Sequence, residues 1–264
     1  MAEGRLNGKN AIITGGGSGM GRATAHRFIK EGVSHVFLVD RKPERLDKVQ
    51  KEIADLGGRA TTILAELGQV EDCARVIETA KKADGRIDIL VSNAAAWTEE
   101  PFLEMKKESW DRVLAVNLTA SFLLGQGAAR VMKDQGGGVI LYTASISSLG
   151  ASKDFTHYGV AKAGIVNLVQ NMAIELAPYR IRVNCISPGP SDTQQSLDIV
   201  GTENMEKFRK DFPVVPLERR LGRPEEMAAA FAFLASSDAS YITGHNLIID
   251  GGLTAHAYSI PEPE

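Results

Sequence analysis

The sequence predicts an α/β fold, a doubly wound parallel sheet of about seven strands with helices on both faces. Three observations carry this. Short apolar runs alternate with longer segments of helical period along nearly the whole chain. The runs are continuous and rich in β-branched residues, as in strands buried on both faces. Seven runs and about six helical segments fill the 264 residues without leaving material for a second core.

The predicted strands are "NAIIT" (10–14), "HVFLVD" (35–40), "ATTILA" (60–65), "IDILVSNA" (87–94), "GGVILYTA" (137–144), "IRVNCIS" (181–187) and "NLIID" (246–250). Helical segments fall between them at 19–31, 43–56, 70–84, 109–134, 156–177 and 224–236. Two stretches break the rhythm. Residues 188–220 carry no strand pattern, and a lid over a binding site is expected at about 190–215, since long loops in compact domains are often functional. The tail at about 254–264 ends in prolines and carboxylates and reads as a surface segment or an arm onto a neighbouring subunit. Residues 1–264 are therefore expected to form a single domain with a lid and a tail.

Composition narrows the function classes. Hydrophobic residues make up 44% and charged residues 24%, ordinary for a soluble globular protein. A net charge of −3 gives no footing for nucleic acid or an acidic membrane surface. No apolar run reaches the roughly 18–20 residues of a membrane span, and the polar N-terminus has no signal-peptide pattern. Cys73 and Cys185 form no CxxC pair, which fits a reducing, cytoplasmic setting. The five histidines are scattered, so no catalytic metal is expected.

The first strand runs straight into "TGGGSGMG" (14–21), which opens a helix. Gly15, Gly19 and Gly21 stand as G-x-x-x-G-x-G, with Gly17, Ser18 and Met20 completing the loop. Such a turn lets the backbone approach a pyrophosphate, and the helix N-terminus adds free N–H groups and a favourable dipole. A flexible turn without a ligand would use the same glycines. The strand–helix placement and an acid further on favour the phosphate reading. That acid is Asp40, closing the second strand. A carboxylate there accepts from both ribose hydroxyls and repels a 2′-phosphate, so it favours NAD over NADP. No lysine or arginine lies between Gly15 and Gly21 to receive that phosphate. Arg41 is read as a solvated arginine, a stack beside adenine, or a phosphate partner.

Tyr158 and Lys162 lie four apart in a helical stretch and share one face. Taken alone, they read as amphipathic side chains with their polar ends in water. The wider pattern changes this. "TGGGSGMG", "SNAAA" (92–96), "VNLTA" (116–120), Ser145, "YGVAK" (158–162) and "NCISPGPSDT" (184–193) occur in order and at spacings similar to the short-chain dehydrogenases/reductases, single-domain branch. The resemblance extends from about residue 8 to residue 252. It implies a Rossmann-type sheet and a catalytic tetrad of Asn117, Ser145, Tyr158 and Lys162. Ser147 and Ser148 are out of step with the family spacing and read as turn or wall hydroxyls. Asn93, Ala94 and Ala95 replace the usual Asn-Ala-Gly, adding a methyl beside the nicotinamide ribose. Glu66, followed by Leu67, stands where the family often has an adenine-contacting aspartate. Pro188 and Gly189 would support the nicotinamide, Thr193 would bond its carboxamide, and Ile186 could donate a backbone amide to the same group.

The chemistry so implied moves a hydride between a secondary alcohol and the nicotinamide while Tyr158 handles the proton. A tyrosine does this near neutrality only if its pKa falls from about 10. The Lys162 ammonium, helped by the positive nicotinamide ring, would stabilise the phenolate. Ser145 would polarise the substrate oxygen, and Asn117 would position water that connects Lys162 to solvent. Substrate contacts are expected from Ala95, Ala96 and Trp97, from Ser147, Asp154, Phe155 and His157 before Tyr158, and from the lid (Leu197, Ile199, Met205, Phe208, Phe212). This mixture suits a cyclic alcohol, a diol or a sugar-like substrate.

Two alternatives stand beside this. A 3-oxoacyl-[acyl-carrier-protein] reductase needs two basic residues beside the cleft; Arg130 matches one, but the second falls near Ile174, with Glu175 beside it. A non-catalytic NAD-binding scaffold would be expected to have lost the tyrosine or the lysine. A homo-oligomer, tetramer or dimer, is expected through the helices near 103–134 and 156–177 and through the last strand.

Overall fold

The computed structural model describes residues 4–193, 206, 215 and 217–255. Most of the expected lid, including Leu197, Ile199, Met205, Phe208 and Phe212, lies outside the described residues, as does the tail beyond Ala255.

Seven strands form one parallel sheet: β1 (Asn10–Thr14), β2 (His35–Asp40), β3 (Ala60–Leu64), β4 (Ile89–Ser92), β5 (Gly138–Thr143), β6 (Ile181–Pro188) and β7 (Asn246–Ile249). Their order is β3-β2-β1-β4-β5-β6-β7. Among the described residues the α-helices are α1 (Gly19–Lys30), α2 (Pro43–Asp55), α3 (Val70–Asp84), α4 (Lys107–Leu114), α5 (Ala120–Asp134), α6 (Thr156–Leu176) and α7 (Pro224–Ala235).

Successive strand residues point to opposite faces, and here both faces are apolar. Ile12, Phe37, Leu90, Ile140 and Cys185 pack with Val76, Leu124, Ile165 and Val169 of α3, α5 and α6. Their neighbours Ile13, Leu38, Val91, Leu141 and Ile186 pack with Phe28, Val49, Ile53 and Phe231 of α1, α2 and α7. Each such side chain contributes about 1.5–3 kcal/mol on burial, which explains why the strands read as unbroken apolar runs. β1 lies between β2 and β4, so the chain winds away from it in both directions. The crevice at the carboxyl ends of β1 and β4 is where such a sheet binds ligands.

Two elements depart from the sequence reading. β4 is shorter than 87–94, because Asn93 and Ala94 turn to bond Thr14. The backbone N–H groups of both donate to Thr14 Oγ1, at 2.9 and 3.0 Å. The single helix expected over 109–134 is three pieces, with a π-helical segment at Ala115–Thr119 between α4 and α5. Side chains explain the break. Asn117 Nδ2 donates to the Val113 carbonyl (2.8 Å), and Ser121 Oγ donates to the Asn117 carbonyl (2.7 Å). Both compete with the regular backbone ladder.

The N-terminal segment is tied to the end of α1 by charge. Arg5 donates to both oxygens of Glu31, at 3.0 and 2.6 Å, and Arg27 adds a bond of 2.8 Å. The Arg5 hydrogen bonds are the main reason the Glu31 carboxyl is held down to about 2. A carboxylate with a depressed folded pKa stabilises the protein above its unfolded pKa, and that stability is lost as pH falls through the folded value. Glu31→Gln is therefore expected to lower the melting temperature at pH 6 (about 1.5 units above the unfolded value). The difference should fade as pH falls from about 4.5 toward about 2. Paired thermal melts across that range check it.

Candidate active site

The glycine loop is shaped by close approaches. Gly15 and Gly19 have φ of +64° and +51°, in the left-handed region that glycine tolerates. A Cβ on Gly21 would lie 2.1 Å from the Gly15 carbonyl oxygen, and one on Gly17 would lie 2.8 Å from both Asp40 Oδ2 and Arg45 Cβ. Gly21→Ala is expected to cost about 2 kcal/mol or more, since backbone cannot retreat as a side chain can. A lower denaturant midpoint, with weakened dinucleotide binding, checks it.

Asp40 closes β2 against this loop. Its Oδ2 accepts from the Gly17 N–H (3.2 Å) and its Oδ1 from the Lys42 N–H (3.1 Å). The carboxylate is thus fixed where a ribose would meet it. Sequence reasoning found no cation within the loop, but α2 brings one to it. Arg45 Nη1 donates to Ser18 Oγ at 3.4 Å, and Arg41, Lys42 and Arg45 all border the same cleft as Asp40. The signal was present in Pro43 at the start of α2, which places Arg45 in the first turn, beside the loop. Arg41 also approaches Glu66 at 3.9 Å.

The tetrad positions come from three elements: the π segment (Asn117), the turn after β5 (Ser145) and α6 (Tyr158 and Lys162). Thr14, Asn93, Thr143 and Lys162 form a line of bonds across the ends of β1, β4 and β5. Asn93 Nδ2 donates to the Thr14 carbonyl (3.2 Å), Thr143 Oγ1 to Asn93 Oδ1 (3.0 Å) and Lys162 Nζ to the Thr143 carbonyl (2.7 Å). Lys162 is 2% exposed, and its ammonium lies 5.4 Å from the centre of the Tyr158 ring. Ser145 precedes a short 3₁₀ turn (Ile146–Ser148) and its Oγ accepts from the Ser147 N–H at 3.1 Å. Ser148 Oγ donates to the Ser145 carbonyl (2.6 Å), so both neighbouring serines support Ser145. The Ser145 side chain also hydrogen-bonds Tyr158.

Asn117 is held by its amide nitrogen. Its Nδ2 donates to the Ala96 carbonyl (2.5 Å) as well as to Val113, so its side chain ties the π segment to the loop after β4. Its Oδ1 is buried and meets no partner among the described residues.

Sequence reasoning expects Lys162, helped by the positive nicotinamide ring, to pull Tyr158 toward neutrality. In the protein alone, burial pushes the phenol up to about 12, with the Ser145 bond pulling the other way. Burial likewise brings Lys162 down to about 8, opposed by Cys185 nearby. The ring of Tyr158 is half-buried and Lys162 fully so.

Two cavities meet at this point. One, of about 490 Å³, runs from Asp40 to Tyr158. It is bordered by Gly15, Ser18, Gly19, Met20, Arg41, Glu66, Leu67, Asn93, Ala94, Ala95, Ala96 and Lys162. Sequence reasoning missed Arg112, Val113 and Val116, which α4 and the π segment add to it. The other, of about 280 Å³, contains Ser145, Ser147, Phe155, Pro188 and Gly189, with Ser152, Pro190 and Ser191 as unforeseen members. Trp97, Tyr158, Thr143, Thr193 and Met20 border both. Gly17 and Gly21 shape the loop without bordering either cavity. Ile186 is fully buried in β6, while His157 is buried and Asp154 lies in the loop before α6 with φ +65°; neither cavity includes them.

The first cavity fits a dinucleotide. Its glycine loop leaves no Cβ in the way, the N-terminus of α1 faces it, and a fixed carboxylate stands at the adenosine end.

Comparison with known proteins agrees. The family described as enoyl-(acyl carrier protein) reductase matches residues 15–254. Human dehydrogenase/reductase SDR family member 4 is 36% identical over 94% of this chain and 88% of its own. A 7α-hydroxysteroid dehydrogenase solved with NADH and 7-oxo glycochenodeoxycholic acid superposes with a TM-score of 0.86 at 35% identity, covering 94% of this chain and 95% of that one. A candidate NAD(P)-dependent gluconate 5-dehydrogenase from Beutenbergia cavernae, solved with bound NADP, gives 0.88 at 34% identity, covering 95% and 98%. The chain belongs to the short-chain dehydrogenase/reductase family, whose members bind NAD(P) and act as oxidoreductases on small molecules.

Proposed function

We propose that this protein transfers a hydride between a secondary alcohol and a nicotinamide cofactor, with NAD preferred over NADP. One observation carries the reading: Tyr158 borders both the cleft that fits a dinucleotide and the smaller cavity beside Ser145. A proton donor at that junction serves a hydride crossing from one to the other.

Bound NAD(P) supplies the hydride acceptor or donor. Ser145 holds the substrate oxygen and passes its hydrogen bond on to Tyr158. Tyr158 takes the alcohol proton in oxidation and returns it in reduction. Lys162, cationic below about 8, favours the phenolate as it forms. Asn117 holds the Ala96 carbonyl and so fixes the wall of the site. Because oxidation needs the phenolate and reduction the phenol, alcohol oxidation rises with pH and ketone reduction falls. Asp40 favours NAD by charge, although three cations stand around it.

Within the second cavity, serine hydroxyls face Trp97 and Phe155, which suits a cyclic alcohol, a diol or a sugar-like substrate. The chain is taken to work as one domain in the cytoplasm, consistent with two buried free cysteines. Exposed Phe122, Val160 and Ile174 on α5 and α6 support self-association as a dimer or tetramer through those helices. No described helix is long and apolar enough to cross a membrane.

A panel of secondary alcohols assayed with NAD and NADP in parallel tests the proposal. Growth of reduced cofactor with cyclic or polyhydroxy alcohols, faster with NAD, is expected. Bound dinucleotide with silence across the panel would favour a scaffold instead.

A further inference from the structure

Trp97 is the one large side chain of the β4–α4 loop that borders both cavities. Its ring lies 5.1 Å from that of Phe155 and 6.5 Å from that of Tyr158. A loop residue keeps such a place only if the backbone on each side of it is held. On one side, the Ala96 carbonyl accepts from Asn117 (2.5 Å). On the other, Thr98 Oγ1 and His157 Nε2 share a hydrogen bond of 2.9 Å. Two residues further on, the Glu100 N–H donates to the Asp154 carbonyl at 2.9 Å.

His157 is 0% exposed and sits in the first turn of α6, immediately before Tyr158. It touches neither cavity. We propose that His157 is a positioning residue: by holding Thr98, it fixes Trp97 as the partition between the dinucleotide cleft and the alcohol cavity. This deepens the oxidoreductase reading above and rests on it. The pin ties the partition to the same helix turn that carries the proton-transfer tyrosine. Burial lowers the His157 pKa, while Glu100 raises it, so the ring is neutral at physiological pH and adds no charge to the wall.

The chain contains two tryptophans, so Trp110→Phe leaves Trp97 as the sole tryptophan, excited selectively over the tyrosines. In that background, His157→Leu removes the pin, His157→Gln keeps a polar atom near the Nε2 position, and Thr98→Val breaks the same bond from the loop side. Acrylamide quenching of Trp97 in the cofactor-free protein is the first readout; KM and kcat for the best alcohol are the second. His157→Leu and Thr98→Val are each expected to raise the quenching constant about twofold and KM about tenfold, with kcat within about threefold. His157→Gln restores both readouts to near the parent. The double variant His157→Leu/Thr98→Val is no worse than either single, as for two partners in one contact.

Unchanged quenching and KM in both single variants would overturn the proposal, as would additive effects in the double. If His157→Leu does not fold, Thr98→Val reads the same bond. If the parent oxidises no alcohol, the oxidoreductase reading fails, and quenching still decides whether His157 holds Trp97.

Discussion

Tyr158→Phe is expected to cut alcohol turnover by about a thousandfold, within the usual range for loss of an acid–base group. Dinucleotide affinity should stay within about threefold of the parent, because the phenol is one of many groups around that cleft. The size follows from position. Tyr158 stands between two cavities, with Ser145 bonded to its side chain and the Lys162 ammonium 5.4 Å from its ring. Phenylalanine keeps the ring's packing against Trp97 and removes only the hydroxyl. Steady-state rates with tight binding retained, measured by fluorescence titration of the reduced cofactor, check it. A loss under tenfold would show that the proton takes another route.

Asp40→Ser is expected to raise the ratio of NADP to NAD efficiency by two to three orders of magnitude, roughly, as charged hydrogen bonds to a ribose are lost and a repulsion removed. The carboxylate favours NAD while Arg41, Lys42 and Arg45 border the same cleft. Removing the carboxylate beside the glycine loop leaves Arg41, Lys42 and Arg45 on the rim to receive a 2′-phosphate. Serine retains an oxygen that can accept from Gly17 or Lys42, so the loop should keep its shape. Steady-state kinetics with both cofactors measure the ratio. A change below tenfold would mean that Asp40 does not decide coenzyme choice.

Much of this fold was legible because both faces of the sheet are covered. Strands such as "HVFLVD" read as continuous apolar runs only when neighbours bury both sides, as Phe37 and Leu38 are buried here. The motifs were legible because a glycine loop and a Tyr-x-x-x-Lys turn are local patterns. Features made by distant residues were not. The π segment at Ala115–Thr119 depends on what Asn117 and Ser121 bond, and neither choice is visible in helix propensity. Arg45 reaches the glycine loop from the start of α2, well over twenty residues along the chain. The Tyr-x-x-x-Lys spacing makes the attraction between the two groups legible, whereas the desolvation that raises one pKa and lowers the other depends on how the fold buries them. His157 read as a substrate contact because it precedes Tyr158, yet its ring turns away to the loop after β4.

The central claim is that Lys162 and bound oxidised cofactor together draw the proton from Tyr158. Ultraviolet difference titration of tyrosinate, comparing the parent with Tyr158→Phe, isolates that one phenol. With NAD⁺ bound, its ionisation is expected well below the cofactor-free value of about 12, and Lys162→Met should abolish most of the change. An ionisation that stays near about 12 with NAD⁺ bound, or that is indifferent to the lysine, would contradict the account.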